Sequence, residues 1–333
     1  MPKLCLEYVW LGCYNELRSK TRVVEVTNEE FTLNNVQEWN YNGSNTNQAE
    51  GYDSEVILRP CSLYPCPFRP GGVLVFCNTF TSDGIPLSNN YRVAAEACFQ
   101  VKKSEKPLFE IKQEYFLLNP VNGLPIGYRG EDDTPPQGQY YCSVGVTNTF
   151  GRNVAEEHLA RCLRTGLNIS GINSEVAPGQ WKYQIGPCTG IESGDQVWVS
   201  RYILERVAEK HGLVVCWNPK PLDGDWNHSS CHINYSTKAM REGTGDKTGL
   251  EVIHEALEKL ANTHEEHMIV YGSGNELRMS GTHETSRFDV FTSVCIPNLT
   301  VQKEKGYFED RRPSSNMDPY QVTSKLFETT CLT

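Results

Sequence analysis

Glu110, Lys112 and Glu114 stand at alternate positions in Phe109-Glu110-Ile111-Lys112-Gln113-Glu114-Tyr115-Phe116, a run whose residue types predict a strand. Side chains alternate across a strand, so the three share one face. A charged face is costly to bury unless it holds a metal, a ligand or a counter-charge. Further along, Glu175, Lys182, His232, Glu284 and Glu309 each lie inside a short polar motif. Carboxylates and a histidine in such motifs suit a metal–nucleotide site. Two lysines stand where that site would want carboxylates, and an ammonium has no lone pair to give a cation.

Elements to position these residues are legible around them. Leu4–Gly12, Arg22–Val26 and Gly71–Phe80 are β-rich and separated by polar Asn/Gly/Ser loops. The Pro- and Cys-rich stretch Ser54–Arg69 reads as an irregular crossing. Arg92–Val101 is a short helix ahead of the charged strand. Beyond it, Val154–Thr165, Val197–His211 and Gly249–Tyr271 carry apolar residues at helical spacing, the last through Ile253, Ala256, Leu257, Leu260 and Ile269. Strands are expected at Leu213–Trp217 and Cys231–Ser236. The pattern predicts an α+β protein of two parts, a small β domain over residues 1–85 and a larger α+β domain over 86–333.

Composition narrows the function classes. The 333 residues are 38% hydrophobic and 22% charged, as in a soluble globular protein, with a formal net charge of −10. No basic stripe offsets that charge, which argues against nucleic acid or a membrane surface as partner. No apolar run reaches the length of a membrane span. The first residues lack the charged, apolar and cleavage regions of a secretory signal, so a cytoplasmic location is expected. The 13 cysteines form no zinc pattern and read as reduced thiols.

Eight motifs are specific enough to carry a resemblance. They are Glu38-Trp39-Asn40-Tyr41-Asn42-Gly43-Ser44, Pro136-Gln137-Gly138-Gln139-Tyr140-Tyr141-Cys142, Asn173-Ser174-Glu175-Val176, Gln184-Ile185-Gly186-Pro187, Asn218-Pro219-Lys220-Pro221, Cys231-His232-Ile233-Asn234-Tyr235-Ser236-Thr237-Lys238, His283-Glu284-Thr285-Ser286 and Gly306-Tyr307-Phe308-Glu309-Asp310-Arg311-Arg312-Pro313. In this order they resemble eukaryotic-type glutamine synthetase, from about Glu7 to the C-terminus. The resemblance implies a β-grasp N-terminal domain, a larger catalytic α+β domain, and homo-oligomeric stacked rings with sites shared between subunits. It also implies ATP-driven ligation of ammonia to glutamate, with Mg²⁺ or Mn²⁺ neutralising phosphate charge.

Carried over residue by residue, the resemblance assigns one metal position to Glu114, Glu175 and Lys182, and the second to Lys112, His232 and Glu309. Each has an ammonium in place of a carboxylate. A unit charge about 4 Å from a divalent ion opposes it by roughly 8 kcal/mol at an effective dielectric of 20. Asn42 matches an aspartate that helps bind and deprotonate ammonium, and an amide is no base. After Asp225-Trp226-Asn227 the family expects Gly-Ala-Gly, where this chain has His228-Ser229-Ser230, so side chains crowd the glutamate loop at Asn227 and His228. Leu108 replaces a nucleotide-side tryptophan. The segment between Ser286 and Ile296 is shorter than the family pattern, and Cys295 replaces an arginine there. Glu284 matches the flap carboxylate, Arg278 the substrate-carboxylate arginine, and Arg311 and Arg312 the ATP-phosphate side.

Plainer readings stand beside these. His232 on a strand could be a core histidine, Arg311 and Arg312 could be ion-pair partners of Glu309 and Asp310, and Cys231 and Cys295 could be buried thiols. The expectation is a family homologue with little or no ligase activity. Two alternatives stay open: an active or relaxed-specificity ligase, and a non-catalytic subunit entering mixed rings with an active paralogue. The same residues predict that Lys112 and Lys182 pair with Glu114, Glu175 and Glu309.

Overall fold

The computed structural model describes residues 2–26, 31–130, 132–279 and 293–333. The chain divides into two compact units, Met1–Ala97 with Ala160–Leu167, and Cys98–Leu159 with Asn168–Thr333.

The first unit is built on β1 (Lys3–Leu11), β2 (Leu17–Glu25), β3 (Trp39–Asn42), β4 (Glu55–Pro65) and β5 (Val73–Thr81). They pair in the order β2-β1-β5-β4-β3, with β1 parallel to β5 and the other pairs antiparallel. Alternation along β1 turns Leu6, Tyr8 and Trp10 to one face, where they join Leu58, Val75 and Cys77 in a core. The stretch read as an irregular crossing is largely strand β4. Pro60 stands at a register shift between Pro60 and Ser62, an irregularity that suits a residue without an N–H, and Pro65 ends the strand.

The second unit holds an antiparallel sheet of β6 (Leu108–Leu118), β7 (Ile169–Ser174), β8 (Gln180–Thr189), β9 (Val214–Cys216), β10 (Cys231–Ser236), β11 (Val294–Cys295) and β12 (Phe308–Asp310). The order is β11-β12-β10-β6-β8-β7, and β9 pairs with the end of β6. Among the described residues the α-helices are α1 (Tyr91–Val101) and α2 (Arg152–Thr165), both crossing the division between units, then α3 (Ile191–Lys210), α4 (Lys238–Glu242), α5 (Gly249–Asn262), α6 (His264–Val270), α7 (Asn298–Lys303) and α8 (Pro319–Phe327).

Strand β6 explains how the site is placed. Its odd-numbered residues Phe109, Ile111, Gln113 and Tyr115 are buried. Arg201 on α3 donates to Gln113 Oε1 at 2.6 and 3.0 Å, and Ser200 on the same helix donates to the Tyr183 hydroxyl at 3.0 Å. With α3 covering that face, the even-numbered Glu110, Lys112 and Glu114 lie together on the other.

The helical stretch Gly249–Tyr271 is two helices. Thr248 and Glu251 form a capping box that starts α5, which stops at Thr263, whose hydroxyl bonds back to the Lys259 carbonyl at 3.0 Å. The restart changes the helical phase. Ile269, expected on the apolar face, is 83% exposed, and His267 is buried instead.

Candidate active site

Four strands carry the polar face in register. Lys112 on β6 lies opposite His232 on β10, and Glu110 opposite Asn234. Asn234 lies opposite Glu309 on β12, and Glu114 opposite Lys182 on β8. Glu175 follows directly after β7. The structure thus brings together Lys112, Glu114, Glu175, Lys182, His232 and Glu309, which are up to 197 positions apart in the chain.

Both lysines are paired. Lys182 Nζ is 2.5 Å from Glu175 Oε1 and 3.4 Å from Glu114 Oε1, with its side chain 16% exposed. Burial alone would lower its pKa, but the Glu114 and Glu175 carboxylates outweigh that and raise it, so Lys182 is charged. Lys112 Nζ is 2.6 Å from Glu309 Oε1, and Arg311 Nε is 2.6 Å from Glu309 Oε2. Burial works against the Glu309 carboxylate, yet Lys112 and then Arg311 hold it below its usual range. Glu114, more deeply buried, is pushed the other way by desolvation.

His232 is neutral, driven down to about 3 by burial. Its Nδ1 faces Glu309 Oε1 at 3.8 Å, and its Nε2 lies 2.9 Å from the Ser230 hydroxyl. Assigning the proton to Nδ1, on the side of the carboxylate, makes Nε2 the acceptor from Ser230. Ser230 also donates its backbone N–H to Glu114 Oε2 at 2.8 Å. Sequence reasoning treated Ser230 only as a crowding residue. Its position two residues before His232, on the same face by strand alternation, was the available signal.

The remaining predicted residues fall into distinct settings. Arg311, 49% exposed, is the ion-pair partner of Glu309. Arg312 and Asp310 form a bidentate pair at 2.9 and 2.7 Å, both 0% exposed, closed by the Tyr271 hydroxyl at 2.7 Å from Asp310 Oδ2. Both arginines are ion-paired, as the plainer reading has it, and Arg312, which the resemblance puts on the ATP-phosphate side, is fully buried, where only a complete partner set makes a guanidinium tolerable. Arg278 is buried, with Nη1 on the Arg312 carbonyl at 2.8 Å and Nη2 on the Arg311 carbonyl at 3.1 Å. Burial lowers its pKa to about 10. Asn227 donates to Gln180 Oε1 at 3.0 Å, and the His228 carbonyl accepts from Gln180 Nε2 at 3.0 Å. Burial, aided by Arg278 and Lys220, lowers His228 to about 4. Asn42 belongs to the first unit, where its Oδ1 accepts from Ser44 N at 3.0 Å and caps the turn Gly43–Thr46. Glu284 and most of the shortened segment lie outside the described residues. Cys231 is buried, but Cys295 is only half-buried.

One residue went unnoticed in the sequence beyond its place in the strand pattern. Glu110 accepts from Asn234 Nδ2 at 2.6 Å and Ser170 Oγ at 3.2 Å, extending the polar face past the lysines.

Residues 90–245 match the glutamine synthetase catalytic-domain family. A protein of Acanthamoeba polyphaga mimivirus, provisionally named a glutamine synthetase, is 48% identical, covering 98% of this chain and 94% of the relative. The chloroplastic glutamine synthetase of Brassica napus is 47% identical over 99% of this chain and 78% of its own length, and the glutamine synthetase of Hebeloma cylindrosporum is 45% identical over 99% and 94%. A solved structure described as apo GmaS without ligand superposes with a TM-score of 0.74 at 18% identity, covering 98% of this chain and 77% of that one, and so shares the fold. The chain belongs to the glutamine synthetase family, a family of ligases, and its α+β architecture is the one that family uses.

Proposed function

We propose that this chain keeps the glutamine synthetase fold with little or no glutamate–ammonia ligase activity. The observation that carries the reading is Lys182, whose ammonium stands 2.5 Å from Glu175 and 3.4 Å from Glu114. We assign Glu114, Glu175 and Lys182 to one of the family's metal positions and Lys112, His232 and Glu309 to the other. A hard divalent cation takes at least six oxygen ligands at about 2.0–2.6 Å. Here ammonium groups occupy the carboxylate oxygens such an ion would need, and the neutral His232 has its free lone pair engaged by Ser230. These donors do not fit a divalent ion, and no step is assigned to one.

Phosphoryl transfer depends on positioning and on neutralising charge as it moves to the transferred group. Without divalent ions that task falls to Lys112, Lys182 and Arg311, and all three are already paired with carboxylates. Asn42 is read as the counterpart of a carboxylate at the ammonium subsite. Its oxygen is engaged by the Ser44 backbone and hydroxyl, and an amide accepts no proton at neutral pH. Residues 1–85 are assigned to the β-grasp domain and 86–333 to the catalytic-type domain.

The test is glutamine formation by the purified chain with ATP, Mg²⁺, glutamate and ammonium. We expect none above background. A turnover on the order of 1 s⁻¹ or more would overturn the reading.

A further inference from the structure

We propose that Lys112 and Lys182 are permanent internal cations, each doing the structural work of one divalent ion, so that this sheet face is complete without metal and reversing both charges turns it into a divalent-cation site. The inference rests on the proposed correspondence of these positions with the family's two metal positions.

Connectivity is the first ground. A bound metal ties together ligands from separate strands, and each lysine does so here. Lys182 on β8 joins Glu114 on β6 to Glu175 at the end of β7. Lys112 on β6 reaches across β10, which lies between, to Glu309 on β12. His232 on the intervening strand faces Glu309 from the same side. The two ammonium groups therefore span the sheet from β7 to β12.

Charge is the second ground. The face carries Lys112, Lys182 and Arg311 against Glu110, Glu114, Glu175 and Glu309, and the buried Arg278, held by the Arg311 and Arg312 carbonyls, acts on Glu114 and His232, so four cations meet four carboxylates. A lysine in place of a glutamate shifts the formal charge by two, which is the charge of one divalent ion. With glutamates at both positions, six carboxylates would face two guanidinium groups, and two divalent ions would restore the present balance. Buried carboxylates this close must be neutralised by something.

Loop order is the third ground. Glu114, held by Lys182, accepts the Ser230 backbone N–H, and Ser230 in turn caps His232. Lys182 is thus a positioning residue for the segment entering β10.

The experiment uses Mn²⁺ alone as probe, its uptake read from loss of the free-ion electron paramagnetic resonance signal, together with thermal midpoints in chelator and in millimolar Mn²⁺. The wild-type chain is expected to leave the signal intact and to melt at the same temperature in both. K112E/K182E is expected to take up Mn²⁺ and to gain several degrees from it, as a ligand of the native state must. Mn²⁺ uptake or a raised midpoint in the wild type would overturn the proposal, as would a folded K112E/K182E that leaves Mn²⁺ free. K182M decides the matter should the double reversal fail to fold. Its midpoint is expected to fall and to recover partly in Mn²⁺, and an unchanged midpoint would sink the idea. Glutamine formation by a wild type that takes up no Mn²⁺ would defeat the proposed function alone, and Mn²⁺ uptake by an inactive wild type would defeat this inference alone.

Discussion

Lys182 sits where two buried carboxylates converge, and its removal leaves both without their counter-charge. Breaking a buried pair from one side costs about 3–5 kcal/mol. K182M should therefore unfold at markedly lower urea, by about that amount, whereas K182R should keep most of the stability if the guanidinium reaches both Glu114 and Glu175. Ser230 offers a milder test. S230A removes only the hydroxyl at His232 Nε2 and keeps the backbone bond to Glu114, so a loss of about 1 kcal/mol is expected in equilibrium unfolding. The lysines, Glu114, Glu175, His232 and Glu309 were legible one by one, because each sits in a short polar motif. Their pairing was legible too, since the resemblance groups Lys182 with Glu114 and Glu175 and Lys112 with Glu309, and the structure pairs them that way; the distances and the part of Ser230 were not.

At the scale of elements, the site depends on β6 and β8 holding their register beside the bulge between Phe109 and Ile111. Gly186 lies opposite that bulge with φ +123°, where a Cβ would come within 2.4 Å of the Phe109 carbonyl oxygen and 2.8 Å of Glu110 Cα. Neither is the end of a flexible side chain, so the strands must part. G186A should cost about 1–3 kcal/mol by its backbone conformation, before that clash is added. A nuclear magnetic resonance comparison would show shifts concentrated along 108–112 and 184–188. Strand alternation was readable here from local residues. The strand in Ser54–Arg69 was missed because turn-forming prolines can also sit at a bulge. The break at Thr263 was missed because apolar spacing runs on across it.

For the whole molecule, acid should be destabilising well above the carboxylate range. His158 on α2 bonds the Ser200 carbonyl at 3.0 Å, and burial lowers it to about 4. His267 on α6 bonds Tyr271 and Thr329 at 2.8 and 2.9 Å and is lowered, chiefly by burial, to about 3. A histidine whose folded pKa lies below its unfolded value near 6.5 contributes stability that is full above that value and is lost as pH falls toward the folded one. Asp318 works in the opposite sense, since burial raises it to about 6 and its protonation below that pH relieves a cost. His228 and His232, lowered to about 4 and about 3, act in the same sense as His158 and His267, so the four histidines against Asp318 predict a net fall of several kcal/mol between pH 7 and pH 5. Urea unfolding at the two pH values would show it, and H158Q/H267Q should remove about half of the histidine contribution, leaving that of His228 and His232.

The sequence by itself determined the family, the α+β class and the identity of the polar residues, because ordered motifs and strand alternation are local properties of the chain. It also posed the question of the two lysines at 112 and 182. The expectation that their charge is spent on Glu114, Glu175 and Glu309 came from the sequence and holds; what only the tertiary structure decided was how closely each pair meets. Ion pairing is a matter of a few ångströms between strands that meet late in the chain, and no local pattern encodes that distance. The same holds for Ser230, whose hydroxyl and backbone serve two different strands, and for Arg312, whose adjacency to Arg311 in sequence conceals that one is in the core and the other half in solvent.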